Sequence, residues 1–172
     1  MAIPQLTEYL QDKNVPYSIH EHSVGFTAQE VAQSAHVSGK DFAKTVMVKV
    51  DDVMSMLVMP SNYAIDLNTI GKYLGAVDIE LAHESEFSDL FPHCKTGAMP
   101  PFGNLFNIPV YVAEALVDDH KIAFNAGNHN EIIRMDYRDF ERLVKPKIVR
   151  GGFYTQSSHY EHDRPRMGTV KH

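Results

Sequence analysis

The sequence is poor in cysteine and has no long apolar run, and both shortages narrow what the protein can be. Cys94 is the one cysteine among 172 residues, so the chain cannot form an internal disulfide and a reducing compartment is expected. No run of about 18 apolar residues is present, which argues against a membrane-spanning helix. The first residues, MAIPQLTEYLQDK, are amphipathic rather than basic and then apolar as in a signal peptide. We therefore predict a cytoplasmic protein with no membrane partner.

Motifs of several enzyme classes are also missing. The chain has no Walker-type phosphate loop, no G-x-G-x-x-G, no H-E-x-x-H and no serine in a nucleophile elbow. Ten histidines leave a metal site open as an alternative, with His20 and His22 on one face of a strand and His159 and His162 near the C-terminus. Zinc sites usually need three or four ligands at recognisable spacing, and the chain offers a single cysteine. We predict no metal and no cofactor.

Positive charge is scarce. Lysine and arginine number 16 against 22 aspartates and glutamates, which gives a net charge of −6. Proteins that hold nucleic acid along a long backbone track are usually basic, because neutralised phosphates supply much of the affinity. The composition therefore argues against DNA as a partner. It limits any RNA contact to a small one, such as the acceptor end of a tRNA.

What is present is the composition of a normal globular protein. Apolar residues make up 44% and charged residues 22% of the chain, and 172 residues are enough for one domain with a sizeable core. The apolar pattern stops after residue 150. We predict one domain over residues 1–150, followed by a tail over 151–172 that is either mobile or docked on a neighbouring surface.

The stretch 24–50 has the clearest local pattern. Thr27 and Glu30 form a T-x-x-E capping box, which predicts a helix through about residue 35. Alternating valines then predict a strand from about residue 43 to residue 50. Lys44 lies at the start of this strand between apolar neighbours. Such a lysine is often a side chain that keeps its charged head in water, and this reading stays open beside a functional one.

The rest of the chain mixes helices and strands without a regular β-α-β alternation. Strands are predicted over 17–20, 54–59, 77–81, 109–112, 121–125 and 131–135, and helices over 6–14, 67–74, 84–91 and 137–144. Asp51 and Asp52 predict a hairpin turn, Asp66 and Asp136 are placed to cap helices, and Gly75 is placed to end one. We therefore predict the α/β class of the α+β type, with a mixed, largely antiparallel sheet and helices packed on it.

Two segments predict shaped loops. Glycine and proline cluster over residues 94–107, which is typical of a rigid loop rather than a flexible linker. Ala126-Gly127-Asn128-His129 has the chemistry of a hairpin turn between two strands.

Four sequence blocks, taken together, resemble one known family. HSVGFTAQEVA, AKTVMVKV, GAMPPFGNLFNIPVYV and FNAGNHNEIIRMDYRDFERLV follow one another, over residues 20–146, as in the YbaK/EbsC-like proteins. These are freestanding aminoacyl-tRNA deacylases related to the editing insert of bacterial prolyl-tRNA synthetase. The resemblance implies a twisted mixed sheet, partly closed like a barrel, with helices around it. Residues 24–26 and the C-terminal segment match the family less well.

The resemblance implies a catalytic role for Lys44, because a lysine in the context AKT lies in the editing pocket of the family. Its chemistry is also readable directly. An ammonium can hold a carbonyl oxygen or a terminal phosphate and stabilise negative charge as it develops. Action as a general base would require a strongly lowered pKa. We therefore favour electrostatic stabilisation and positioning of the substrate.

The resemblance also implies a set of substrate-binding residues from three parts of the chain. These are Thr45; Gly97, Ala98, Met99, Pro100, Pro101, Phe102 and Gly103 of the G-x-x-x-P loop; and Asn125, Gly127 and His129. Glycine lets a backbone amide approach a ligand, and paired prolines preset the loop. The family histidine at His129 shapes the pocket and selects amino-acid size. An ordinary tight loop and a surface histidine are the competing readings.

The first hypothesis is therefore a trans-editing deacylase that removes a wrongly attached amino acid from a tRNA, with tRNA for proline implied by the resemblance. Water would be the nucleophile, assisted by the tRNA 2′-hydroxyl, and no cofactor would be needed. The acceptor end of the tRNA is the expected partner, and a synthetase such as prolyl-tRNA synthetase is a candidate second partner. The alternative is a non-catalytic module that keeps the pocket and binds a tRNA or a synthetase.

Overall fold

The computed structural model describes residues 3–21 and 41–155. The capped helix predicted over residues 27–35, His22 and residues 156–172 lie outside the described residues. Within these two described ranges, no helix is both long enough and apolar enough to cross a membrane.

The described residues form ten strands and five α-helices. The strands are β1 (Tyr17–Glu21), β2 (Ala43–Val50), β3 (Val53–Pro60), β4 (Tyr63–Ile65), β5 (Ile79–Leu81), β6 (Val110–Ala113), β7 (Lys121–Asn125), β8 (Glu131–Asp136), β9 (Lys147–Val149) and β10 (Phe153–Thr155). The helices are α1 (Pro4–Asp12), α2 (Leu67–Leu74), α3 (Glu84–Phe87), α4 (Glu114–Val117) and α5 (Tyr137–Val144). Two 3₁₀ turns, Ser88–Leu90 and Gly103–Leu105, lie between α3 and β6.

The strands make three sheets. The largest has five strands in the order β5-β2-β3-β6-β9, the second has the order β1-β8-β7, and β10 pairs with β4. Neighbouring strands are antiparallel except for β3 with β6 and β6 with β9, which are parallel. The prediction of a mixed, largely antiparallel sheet with packed helices is therefore confirmed.

The two larger sheets are joined at the start of β2. Phe42 forms a parallel bridge with Ala123 of β7, and the Ala123 amide donates to the Asp41 carbonyl at 3.0 Å. Further along β2, the same strand is paired with β5. The barrel-like closure expected from the resemblance goes no further than this bridge, and in the part of the chain described here no sheet closes on itself.

A hydrophobic core lies on each side of the large sheet. The main core takes Ala43 and Met47 from β2 and covers one face of both larger sheets. Helix α1 contributes Leu6 and Leu10 to it, and α5 contributes Phe140. A second core lies on the opposite face of β2 and β3, where helix α2 packs. The alternation of side chains along β2 therefore sends neighbouring residues to different cores.

Several local predictions are confirmed. The strand predicted from residue 43 to 50 is β2, and Asp51 and Asp52 form the turn to β3 with φ of 48° and 67°. Asp66 caps α2 by accepting a hydrogen bond from the Thr69 amide, and Gly75 ends that helix in the left-handed region with φ of 68°. These signals are local, because each depends on residues within one turn of the chain.

Other local predictions are corrected. The Asp136 side chain makes no capping hydrogen bond to α5, and its carboxylate instead contacts Lys121 at 2.7 Å. The helix predicted over residues 84–91 divides into α3 and a 3₁₀ turn. For the tail, the sequence leaves a mobile and a docked segment both open; its first residues are docked, because β10 pairs with β4 and the Asp66 amide donates to the Gly152 carbonyl at 2.7 Å.

Candidate functional site

Lys44 is the second residue of β2, where it is paired with Met59 of β3. Opposed residues of an antiparallel pair share a face, so Lys44 lies on the face of Met59 and the second core, away from the main core. The side chain is half-buried. Partial burial removes water from the ammonium and lowers the pKa of Lys44 from its ordinary value. This agrees with a functional lysine more than with one that only reaches into solvent.

The bridge between the sheets brings Asn125 towards Lys44. From the Phe42–Ala123 bridge, a step of two residues along each parallel strand reaches Lys44 on β2 and Asn125 on β7. The two residues therefore project to the same side as the bridged pair, although β2 and β7 pair at this bridge alone in the described residues. Among the described residues, Asn125 Oδ1 is a buried oxygen with no hydrogen-bond partner. A lysine and an amide thus each follow the point where the two sheets meet.

The predicted loop and the predicted turn are held together by backbone hydrogen bonds. The Lys95 amide donates to the Gly127 carbonyl at 2.8 Å, and the Gly127 amide donates to the Ala98 carbonyl at 3.0 Å. The turn begins directly after Asn125, at the end of β7. The structure therefore brings three of the four sequence blocks to one place, the carboxyl end of β7.

Two glycines are required by this junction. Gly97 has φ of 85° and Gly127 has φ of 99°, and residues with a side chain rarely adopt these backbone angles. A Cβ atom at Gly127 would lie 2.5 Å from the Ile3 side chain, and one at Gly97 would lie 3.4 Å from the His129 ring. Gly97 itself is exposed, and its amide donates to Met99 Sδ at 3.3 Å.

His129 ties the turn to the loop. Its Nε2 atom lies 2.8 Å from the Thr96 carbonyl oxygen. A carbonyl oxygen can only accept, so Nε2 carries the proton in this contact. Where the ring is neutral, Nδ1 is then an acceptor. The role of Thr96 has no sequence signal, because any residue supplies the same carbonyl group.

Several of the remaining predicted binding residues lie on the side of the main core rather than on the Lys44 face. Thr45, the next residue of β2, is paired with Val58 of the main core. The residues from Ala98 to Gly103 are all buried. Phe102 packs its ring 5.5 Å from those of Phe124 and Phe140. These side chains support the loop from the core side, and their assignment to substrate binding stays a prediction.

Cys94 lies at the start of the same loop but is a poor nucleophile. The residue is half-buried, and burial raises the pKa of its thiol to about 11. Little thiolate is therefore present near neutral pH.

A metal centre finds no support in residues 3–21 and 41–155. Those residues contain no group of three or more histidine, cysteine, aspartate or glutamate side chains that could hold a metal ion. His22, His159 and His162 lie outside the described residues. His20 is described, and its Nε2 atom is 3.1 Å from Ser18 Oγ.

Known proteins share both the sequence pattern and the fold. The family model described as an aminoacyl-tRNA editing domain matches residues 22–143. The Multifunctional Ser/Thr-tRNA deacylase ProXp-y of Escherichia coli (strain K12) is 27% identical over 96 residues, which cover 55% of this chain and 56% of that protein. The chain thus matches little more than half the length of this curated relative.

Two solved structures have the same fold at low sequence identity. One is a protein proposed to be a trans-editing enzyme for prolyl tRNA synthetase, with a TM-score of 0.74, 16% identity, and coverage of 87% of this chain and 98% of that chain. The other is the hypothetical protein APE2540, with a TM-score of 0.74, 19% identity, and coverage of 85% and 97%. Because the family model matches most of this chain, the chain belongs to the aminoacyl-tRNA editing domain family.

Proposed function

We propose that the protein is a trans-editing deacylase, which hydrolyses the ester between a wrongly attached amino acid and a tRNA. The observation that carries the proposal is the half-buried Lys44, two residues beyond the bridge that joins the two sheets, in a chain whose family is an editing domain. The exposed Gly97 backbone and His129 lie at the end of the same strand, β7. This arrangement offers a charged group, amide groups and a preset loop around one ester.

The proposed mechanism needs no covalent intermediate. Water attacks the ester carbonyl, and negative charge develops on the carbonyl oxygen. The Lys44 ammonium stabilises this charge or holds the acceptor end, and its partial burial strengthens the interaction because the local dielectric is lower than in water. The tRNA 2′-hydroxyl can assist the water. The bond between the acyl carbon and the ribose oxygen breaks, and the ribose hydroxyl leaves with a proton from water.

The proposed substrate is a mischarged tRNA, and tRNA for proline is the first to test. The curated relative is described as acting on Ser/Thr-tRNA, so seryl and threonyl esters belong in the same panel. We propose that the protein contacts chiefly the acceptor end. A synthetase such as prolyl-tRNA synthetase is proposed as the partner that supplies the rest of the tRNA contact.

The decisive experiment is a deacylation assay on a full panel of mischarged tRNAs. We expect wild type to release at least one amino acid faster than the uncatalysed reaction, and Lys44→Ala to lose this activity. Lys147→Ala is the matched control, because Lys147 is an exposed lysine on a strand of the same sheet. Release of no amino acid by wild type, across the whole panel, would remove the deacylase proposal.

A non-catalytic binding module is the second candidate, and the net charge of −6 favours it. An acidic protein holds a tRNA poorly by itself, so a role that depends on a synthetase partner is consistent with this charge. This candidate expects no turnover by wild type and weaker tRNA binding by Lys44→Ala. Turnover by wild type without a synthetase partner excludes the binding module.

A further inference from the structure

A polar groove lies on the three-stranded sheet, away from the loop and turn described above. It is lined by Pro16, Tyr17, Ser18, His20, Lys121 and Arg134 and has a volume of about 510 Å³. None of these six residues has a role in the proposed deacylation.

Strand register places this groove next to Asn125. His20 is paired with Ile132, and Ile132 with Asn125, so His20 lies in the same row across the sheet as Asn125. Arg134 lies one row further, between Ser18 and Ala123. With strands about 4.8 Å apart and about 3.4 Å per residue, the Cα atoms of Arg134 and Asn125 are roughly 8 Å apart. The groove and Lys44 therefore share one face of the joined sheets.

Arg134 is the basic group of the groove that lacks an acidic partner among the described residues. Its Nε atom is buried there without a hydrogen-bond acceptor. Lys121, the other cation of the groove, is neutralised by Asp136 at 2.7 Å. A buried donor without an acceptor is unfavourable, so an arginine in this state is suited to accept an anionic ligand. The planar guanidinium matches a phosphate through two parallel hydrogen bonds.

The rim of the groove adds polar groups. Ser18 and His20 are exposed, and Ser18 Oγ lies 3.1 Å from His20 Nε2. A hydroxyl and an imidazole suit the oxygens of a ribose or a phosphate, whereas a purely apolar ligand would leave them unpaired. The groove thus combines an arginine that has no acidic partner among the described residues with side chains that can form hydrogen bonds.

We propose that this groove binds a phosphodiester of the single-stranded 3′ end of the tRNA, with Arg134 as the anchor. The inference rests on the proposed function, since the ester at Lys44 fixes where the 3′ end finishes. The phosphates one or two nucleotides before the ester then reach Arg134. The groove adds a phosphate contact to a protein whose net charge is −6.

The test compares a substrate that carries phosphodiesters with one that has none. One is an aminoacylated acceptor-stem minihelix, and the other is the same amino acid esterified to adenosine. Arg134→Ala should raise KM for the minihelix by about 10- to 100-fold, as for loss of a charged hydrogen-bonding partner, with kcat unchanged. For the adenosine ester, KM and kcat should both stay at the wild-type values. Arg134→Lys should recover only part of the affinity, because it keeps the charge and loses the planar fork.

Arg138→Ala is the matched control, since Arg138 is an exposed arginine on α5 and lies outside the groove. It should leave both substrates unaffected. Equal losses by Arg134→Ala on both substrates, or a large fall in its melting temperature, would assign Arg134 to the scaffold and overturn the proposal.

A binding measurement separates this proposal from the deacylase assignment. An uncharged RNA oligonucleotide ending in CCA is followed by fluorescence anisotropy, with neutral methylphosphonate at one linkage at a time. One neutral linkage should weaken the binding of the oligonucleotide to wild type. It should have no further effect on binding to Arg134→Ala, because both changes remove the same contact. Arg134-dependent binding without hydrolysis would remove the deacylase assignment and leave the groove. Hydrolysis by wild type, with no effect of Arg134→Ala, would keep the deacylase assignment and remove the groove. Inorganic phosphate that competes as strongly as the oligonucleotide would reassign the groove to free phosphate.

Discussion

At the scale of single residues, the proposed function depends most on Lys44. Lys44→Ala should lower deacylation by about 100- to 1,000-fold, comparable to the loss of one oxyanion donor. The free energy of unfolding should change by about 0.5 kcal/mol or less, because no large apolar group is removed. Rates under single-turnover conditions and urea unfolding measure the two quantities. Lys147→Ala should change neither.

Lys44→Arg distinguishes positioning from long-range electrostatics. The variant keeps the charge, but its planar fork cannot occupy the site of a compact ammonium. Positioning therefore predicts poor recovery of activity. Recovery to near the wild-type rate would show that the charge alone matters.

The lowered pKa of Lys44 makes a separate prediction about stability and pH. In the unfolded chain the lysine regains its ordinary pKa, so between the two pKa values the unfolded state binds more protons than the folded state. Stability from this group therefore rises with pH in that window. Relative to Lys44→Met, wild type should gain free energy of unfolding as the pH is raised from neutrality towards 10. A difference that stays constant with pH would contradict the lowered pKa.

His129 is predicted to control which amino acids are removed. Its Nε2 atom donates to the Thr96 carbonyl, and its ring lies beside Gly97, so removing the ring opens the space over the loop. His129→Ala should widen the range of amino acids released rather than reduce all rates equally. The comparison uses relative kcat/KM values over the tRNA panel, with His120→Ala, an exposed histidine, as the control. An unchanged profile would make His129 a structural residue of the turn.

At the scale of elements, sequence patterns predict what is decided locally. Strand β2, its hairpin turn and both ends of α2 follow from residues that are adjacent in the chain. The short strands β4, β9 and β10 could not be predicted, because each has three residues and its partner strand is distant in sequence. The prediction that Asp136 caps α5 was wrong for the same reason. Its partner Lys121 lies on the neighbouring strand and is distant in sequence.

The same distinction applies to the candidate site. Resemblance indicated which residues belong together, and the loop and the turn do meet at the end of β7. The sequence could not show which face of the sheet each of those residues occupies. Thr45 and Phe102 belong to the main-core side, and Lys44 lies on the opposite face, because the sheet alternates its side chains and the Phe42–Ala123 bridge sets the register.

The end of α5 offers a prediction about stability. Lys145 closes this helix with φ of 53°, a left-handed conformation that costs most residues about 1 kcal/mol or more. Lys145→Gly should therefore raise the free energy of unfolding by about 0.5 to 1 kcal/mol. Lys147→Gly is the control on the neighbouring strand β9. Glycine at this strand position should lower the free energy of unfolding by about 0.5 to 1 kcal/mol. Urea unfolding of both variants gives the comparison, and destabilisation by Lys145→Gly would refute the assignment of strain.

At the scale of the whole molecule, charge limits how much of a tRNA the protein can hold. The net charge is −6, and several cations are already paired with acidic groups. The described ion pairs include Lys49 with Glu80 and Glu86, Lys121 with Asp136, Arg142 with Asp139, and Arg150 with Glu114. Among the described residues near the proposed site, Lys44, Arg134 and the exposed Lys95 of the loop take part in none of these ion pairs. The tRNA contact should therefore involve few phosphates.

This limit predicts that the body of the tRNA contributes little. An acceptor-stem minihelix should be deacylated with a kcat/KM within about threefold of the full tRNA, since the contacts end near the acceptor terminus. The salt dependence should be shallow as well. Two or three phosphate contacts to a single strand give a slope of about −1.4 to −2.1 in a plot of log affinity against log salt concentration. Arg134→Ala should reduce the magnitude of this slope by about 0.7, and Arg138→Ala should not change it. A full tRNA favoured by more than about tenfold, or a slope steeper than about −5, would mean that a basic surface outside these residues grips the tRNA body.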